Sequence, residues 1–400
     1  MDVNILVNLF DIHNEAGLLA IEKLKPNKVI YIVDEQFFES YKKIHLYYME
    51  HFKNIEFESY VIKDGDIEAI NKIIKSISSK DSVINVTGGK RISSLILLNQ
   101  AIDTDFMTIY VDVLNKKWYS LGKDISVSNE KFKDIMIEDL INLSGSDIVM
   151  DSSELSDKKE IIEITKNIYK NLDLWYKYKS KLYDGNIFVH NQMEPKNIMI
   201  NLENVNNFEL NILKKSLEYL KSIRCIKYTK NGNTIKVIFI KDYVKSFIFK
   251  SGTWLEVLTN VMINEITEVD ETKSGVVFIW NEGQRRIRNE LDVVAVKDSI
   301  LICISCKDSE KYDENALNEL DVYSKKIGGS TAKKILVATK KPLKECVSER
   351  AKAMGIDLVI LDKNINIFKE ELQKIINKKW VYHILINSFF SIYVLYALLA

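Results

Sequence analysis

The stretch NELDVVAVKDSILICISCKD, residues 289–308, decides how the C-terminal third of the chain is read. Two short apolar runs are joined by the tight polar turn VKDS, which makes them antiparallel neighbours. Side chains alternate along a strand, so Glu290, Asp292, Val294 and Val296 are expected on one face and Leu291, Val293 and Ala295 on the other. On the second run Cys303, Ser305 and Lys307 share a face. Asp292 is therefore expected beside Ser305 and Lys307. Just upstream, GTWLEVLTNVMINEI (residues 252–266) has helical periodicity. It presents Glu256 among Trp254, Leu255 and Leu258, which read as core anchors.

Carboxylates gathered in one place repel, and a divalent cation relieves that repulsion. Mg²⁺ or Mn²⁺ takes oxygen ligands. Asp292, Glu256 and Glu290 can supply carboxylates, and Cys306 a backbone carbonyl. A lysine beside such a centre can offset developing negative charge. The catalytic candidates are Glu256, Asp292, Ser305 and Lys307; the metal candidates are Glu256, Glu290, Asp292 and Cys306. Arg285, Arg286 and Arg288, in EGQRRIRNE, could follow a nucleic-acid backbone.

Further upstream the pattern changes. Over residues 1–122 apolar runs such as NILVNLF, KVIYIVD, EFESYVI, SVINVT and MTIYVDVL alternate with helical segments, which predicts an α/β unit with a mostly parallel sheet. Ligands of such sheets bind beyond the carboxyl ends of the strands. Two turns lie at that edge. NVTGGKR (residues 85–91) combines two glycines with basic residues opening a helix, a pattern suited to phosphate. Asn85, Thr87, Gly88, Gly89, Lys90 and Arg91 are the candidate contacts there. The facing turn, LFDIHNEAG, adds Phe10, Asp11, His13 and Asn14. The motif is neither a P-loop nor GxGxxG.

Between these units, residues 123–155 are polar and read as a connection. A helix over DKKEIIEITKNIYKNLDLWYKY, a second helix and a hairpin with an NGN turn follow, compatible with a winged-helix-like segment. The expected division is 1–145, 146–245, 246–378 and an apolar tail, 379–400.

Composition narrows the classes further. The chain has 400 residues, with 56 basic and 56 acidic side chains, so nucleic acid must be gripped by local patches. Four cysteines without metal-ligand spacing suggest reduced thiols and a cytoplasmic protein. The N-terminus reads as a first strand, not a signal peptide. Residues 380–400 contain no Asp, Glu, Lys or Arg and are long enough to span a bilayer. A closing core or interface helix is the preferred reading, and membrane insertion the minor alternative.

Two resemblances join these parts. The N-terminal unit, with its polar turn after the first strand and NVTGGKR after the fourth, resembles a CARF domain, a CRISPR-associated sensor of cyclic oligoadenylates. It departs from the commoner TGGTK form because Lys90 follows the glycine pair directly. GTWLE, NELDVVAV and ISCKD, in that order, resemble the PD-(D/E)xK restriction-endonuclease-like fold. Within it they look like the nuclease domain fused to CARF in type III CRISPR ancillary nucleases. Together the resemblances cover about residues 1–122 and 246–362. They imply a homodimer activated by cyclic tetra-adenylate that cleaves single-stranded RNA or DNA, or nicks DNA, with Mn²⁺ or Mg²⁺. Ser305 departs from the pattern, which has Asp or Glu there, and Glu256 or Glu290 could replace the missing acid. The alternative is a ligand-regulated nucleic-acid-binding protein whose C-terminal domain is catalytically silent.

Overall fold

The computed structural model describes residues 3–121, 125–128, 132–191, 193–250, 252–282 and 285–378. The tail at 379–400 lies outside them. Among the described residues no helix is long and apolar enough to cross a membrane.

The N-terminal unit runs β1 (Ile5–Leu9), α1 (Glu15–Leu24), β2 (Lys28–Asp34), α2 (Phe38–His51), β3 (Glu56–Ile62) and α3 (Ile67–Ser76). It continues through β4 (Ser82–Asn85), α4 (Arg91–Asp103), β5 (Met107–Asp112), β6 (Lys117–Leu121) and β7 (Ser126–Ser128). The sheet order is β3-β2-β1-β4-β5-β6-β7. The first five strands are parallel and the last two antiparallel. Helices cover both faces, so central strands such as KVIYIVD are apolar at consecutive positions instead of alternating. Because β1 pairs with β4, the turns after them lie side by side at the switch point.

The connecting stretch is more structured than its polarity suggested. It forms α5 (Ile137–Leu143), whose Ile137, Leu140, Ile141 and Leu143 are buried, and then β8 (Ser146–Met150). β8 pairs with a strand of the C-terminal sheet, so residues 146–150 belong there and not to the middle segment. A short strand with one exposed edge carries too few apolar residues to stand out in sequence.

The middle segment holds α6 (Glu154–Asp157), α7 (Lys159–Lys170) and α8 (Leu172–Tyr178), the last two divided at Asn171 where one helix was expected. β9 (Phe188–His190), β10 (Asn197–Asn201), α9 (Asn207–Ser222), β11 (Ile226–Asn231) and β12 (Thr234–Phe239) follow. The NGN hairpin forms as expected. However, β10 and β9 extend it to a four-stranded antiparallel sheet, β11-β12-β10-β9, in place of a two-stranded wing. Asn206 and Glu209 close a reciprocal capping box at the start of α9.

The C-terminal unit follows α10 (Asp242–Phe249) and begins with α11 (Thr253–Asn264), β13 (Glu271–Glu282), β14 (Arg285–Lys297) and β15 (Ile300–Lys307). It ends with α12 (Glu314–Gly328), β16 (Lys333–Ala338), α13 (Glu345–Ala353), β17 (Ile356–Ile360) and α14 (Ile365–Asn377). The sheet order is β17-β16-β15-β14-β13-β8. One apolar cluster runs from Leu6 and Phe10 of the first unit to Phe278, Leu317 and Leu336 of the last. Polar bonds reinforce the junction, including Ile137 N–H to Glu271 Oε2 (2.8 Å) and Ile135 N–H to Ser299 Oγ (3.0 Å).

The pleat of β14 breaks at Asp292. Leu291 packs in the same cluster as Val294 and Val296, while Val293 and Ala295 pack in the cluster containing α11. The expected grouping of Leu291 with Val293 and Ala295 therefore fails. The ladder to β15 ends at Val293–Ile304. Across the other edge, opposite Asp292, Gly275 sits at φ +55°, and a Cβ there would lie 2.1 Å from Ser152 Oγ. Left-handed strain and this clash predict that Gly275→Ala loses about 2–4 kcal/mol of unfolding free energy. Urea denaturation followed by circular dichroism checks it; an unchanged midpoint would mean the Ser152 contact is not a constraint.

Candidate functional site

α11 and the β14–β15 hairpin place the acids. Gly252, at φ +151°, turns the chain into α11, and Trp254 and Leu255 bury the first turn. Glu256, one position on, is carried inward to 9% exposure. Its carboxyl is pushed up to about 8, first by burial and then by the charge of Asp292. Burial also raises Asp292, opposed by Lys307 and by two hydrogen bonds. Those bonds come from Cys306 N–H (2.6 Å) and Ser305 Oγ–H (3.1 Å), both to Asp292 Oδ2.

Ser305 thus occupies the slot of the expected acid and donates to Asp292, which requires no second charge. Glu290 lies farther out, half-exposed, 3.7 Å from Lys250, and its charge still acts on both buried acids. Burial raises the Cys306 thiol, which contacts Thr259 Oγ1 at 3.7 Å. Such a thiol is a poor ligand for a hard cation, leaving its carbonyl as the candidate.

Among the described residues no group of three or more His, Cys, Asp or Glu side chains is arranged to hold a metal ion. Two adjacent buried carboxyls, both raised, nevertheless fit Mg²⁺ or Mn²⁺ binding through one or two carboxylates with water and substrate oxygens completing the shell.

Arg285, Arg286 and Arg288 are exposed, but they lie toward the β13–β14 hairpin end. Four to seven residues of extended strand separate them from Asp292, roughly 13–24 Å. Closeness in sequence is distance in space on a strand. Lys250 and Lys307 are the cations whose charges reach Glu256.

At the first sheet's edge, Gly88 and Gly89 wrap Leu9. A Cβ on Gly88 would meet Leu9 O at 2.5 Å, and Gly89 sits at φ +76°. The Asp11 carboxylate accepts backbone bonds from Ile12 and Gly89, joining the two turns. Lys90 pairs with Asp34 (3.0 Å) and Asp64 (2.8 Å), and Arg91 is exposed at the start of α4. Asn85 and Thr87 are turned inward: Asn85 Oδ1 accepts from Thr87 N–H (3.0 Å), and Thr87 Oγ1 accepts from Val111 N–H (2.7 Å).

Three candidates in the facing turn are placed elsewhere. The Phe10 ring is in the core, edge-on to Tyr31 and Tyr41. Asn14 is buried at the start of α1. His13, at φ +67°, packs on Gly329 and bonds the backbone of Lys325 in the C-terminal unit. Burial holds its imidazole down at about 4, with the Lys326 charge acting the same way.

Sequence reasoning missed Asp308, the residue after Lys307. Its side chain is 4% exposed and meets four side chains: Trp175 of α8, Lys179 just after that helix, Trp254 of α11 and Thr339 just past β16. The only sequence signal was an acid ending an apolar strand.

With this geometry, residues 244–379 match the family model of the Card1-like endonuclease domain. The chain's fold as a whole is shared with solved structures. Its fold is similar over nearly its full length to protein VC1899 from Vibrio cholerae: 19% identity, TM-score 0.71, covering 93% of this chain and 97% of that one. Can2 from Sulfobacillus thermosulfidooxidans, solved with cyclic tetra-adenylate, gives 17% identity and a TM-score of 0.70, covering 94% and 100%. A type III CRISPR defence DNA nuclease activated by cyclic oligoadenylate gives 13% identity and 0.52, covering 87% of this chain and 48% of that one. Among curated proteins none matches the sequence.

The raised Glu256 makes stability depend on pH. Native protein holds this proton between the ordinary value of 4.5 and about 8, whereas unfolded chain releases it. Metal-free protein is therefore expected to lose stability as pH rises through that window. Melting in EDTA at about pH 5.5 and about pH 8.5 should show a larger drop for the wild type than for Glu256→Gln. Equal drops would mean Glu256 is ionised throughout.

Proposed function

We propose that this chain is a CARF nuclease that hydrolyses phosphodiester bonds in single-stranded RNA or DNA, or nicks DNA, when cyclic tetra-adenylate binds its N-terminal edge. What carries the reading is the buried Glu256–Asp292 pair beside Lys307, inside a Card1-like endonuclease domain. Glu256 and Asp292, with the Cys306 carbonyl, would hold a divalent cation. Bound there, Mg²⁺ or Mn²⁺ supplies a Lewis acid for the phosphodiester and lowers the pKa of an attacking water. Ser305 keeps the Asp292 carboxylate fixed, and Lys307 offsets negative charge developing on the phosphate.

At the sensor edge, Gly88 and Gly89 admit close backbone approach, while Lys90 and Arg91 face the phosphates. The ligand would displace Asp34 and Asp64 from Lys90. A symmetric ring suits a two-fold dimer. Ile92, Leu95 and Ile102 on α4 support that arrangement, since they form one exposed apolar face.

A binding-only reading draws on Ser305 in place of an acid and on the lack of a three-acid cluster among the described residues. Titrating cyclic tetra-adenylate against cleavage, with Mn²⁺ or Mg²⁺ and then EDTA, separates the two. We expect cutting that needs both ligand and cation. Asp292→Ala and Lys307→Ala should lower it at least about 100-fold while leaving cyclic tetra-adenylate binding intact. Ligand-dependent gel shifts without any cleavage would establish the binding-only reading instead.

A further inference from the structure

Resting on that reading, we propose that Asp308 is a positioning residue that fixes Lys307 and Glu256 relative to each other. Three polar side chains donate to its buried carboxylate. Trp254 Nε1–H, from α11, reaches Oδ2 at 2.9 Å. Trp175 Nε1–H, from α8, reaches the same oxygen at 2.8 Å. Thr339 Oγ–H, just past β16, reaches Oδ1 at 3.2 Å. The Lys179 ammonium lies 3.0 Å from Oδ2 and also bonds the Asp308 carbonyl. The two indoles meet edge to face, centroids 6.4 Å apart.

The position of this junction gives it its role. Asp308 adjoins Lys307 in the chain, and Trp254 lies two residues before Glu256 on the same helical turn. One carboxylate therefore ties the end of β15 to the start of α11. Thr339 holds the other side, its N–H donating to Lys307 O at 3.1 Å. A carboxylate removed from water is stable only when its acceptor capacity is filled, so these partners are bound to one geometry. Trp175 and Lys179 bring the middle segment to the same point, placing the helix after α7 in direct contact with the catalytic edge. The hydrogen bonds that hold Asp292 come from Ser305 and Cys306 and not from this cluster, so Asp308 acts through its neighbours.

Displacement of reacting groups by about 1 Å can cost on the order of 100-fold in rate. The test uses full-length protein with cyclic tetra-adenylate, Mn²⁺ and a labelled single-stranded substrate. It reads kcat and KM, with calorimetric Mn²⁺ affinity measured separately from turnover. Trp254→Phe keeps the ring and removes one donor; Asp308→Ala removes the junction; Asp308→Asn keeps an acceptor for both indoles. Trp254→Phe and Asp308→Ala are expected to lower kcat about 10–100-fold and weaken Mn²⁺ binding, with KM and activator affinity unchanged. Asp308→Asn should stay within about threefold of wild type. Wild-type kcat in Trp254→Phe overturns the proposal even if Asp308→Ala fails to fold, and so does an Asp308→Asn variant as slow as Asp308→Ala. A wild type that neither cuts nor binds Mn²⁺ would instead sink the nuclease reading itself.

Discussion

Two ionised carboxylates at Glu256 and Asp292 would repel each other, and much of the C-terminal unit holds the pair together all the same. Burial disfavours each charge and proximity disfavours both together. Left alone, the two side chains would turn to water. They do not, because Trp254 and Leu255 bury the first turn of α11 and because Asp292 is held by Cys306 N–H and Ser305 Oγ–H. The metal-free site therefore keeps a proton on Glu256, which a bound cation would displace. Ser305 fits this balance: a hydroxyl adds a hydrogen bond where a third carboxylate would add more repulsion.

The edge of the first sheet follows the opposite plan. One of its two cations is already paired, since Lys90 sits between Asp34 and Asp64. A ligand with one phosphate gains little by breaking two ion pairs, whereas a ring of phosphates on a glycine-lined turn can exchange several contacts at once. Pre-paired charge thus favours polyvalent anions over simple ones.

Much of this was legible in the sequence. Alternating apolar runs and helical periods specify the parallel sheet, and a glycine pair before basic residues marks the turn from β4 into α4. Asp292, Lys307 and Glu256 stood out because polar side chains interrupt apolar runs. The rest depends on long-range packing. The pleat break at Asp292 comes from the neighbouring strand and its Gly275. His13 and Phe10 read as polar-loop candidates, yet their surroundings come from residues far away in the chain: Lys325 and Gly329 for one, Tyr31 and Tyr41 for the other. β9 and β10 are short and mixed in polarity, so only pairing with β12 defines them. Asp308 had no such signal, because the two indoles and the lysine that surround it come from distant parts of the chain.

The strand β8 has a consequence for how the molecule is made. It closes one edge of the C-terminal sheet, yet its partner β13 begins at Glu271, far downstream of Met150. A ribosome adding about 5–20 residues per second needs roughly 6–24 s to deliver the intervening stretch. During that interval the first seven strands are already available to pair. The N-terminal unit therefore has time to fold while the C-terminal sheet still lacks its central strands, so nascent chains carry a finished first unit before the second can close.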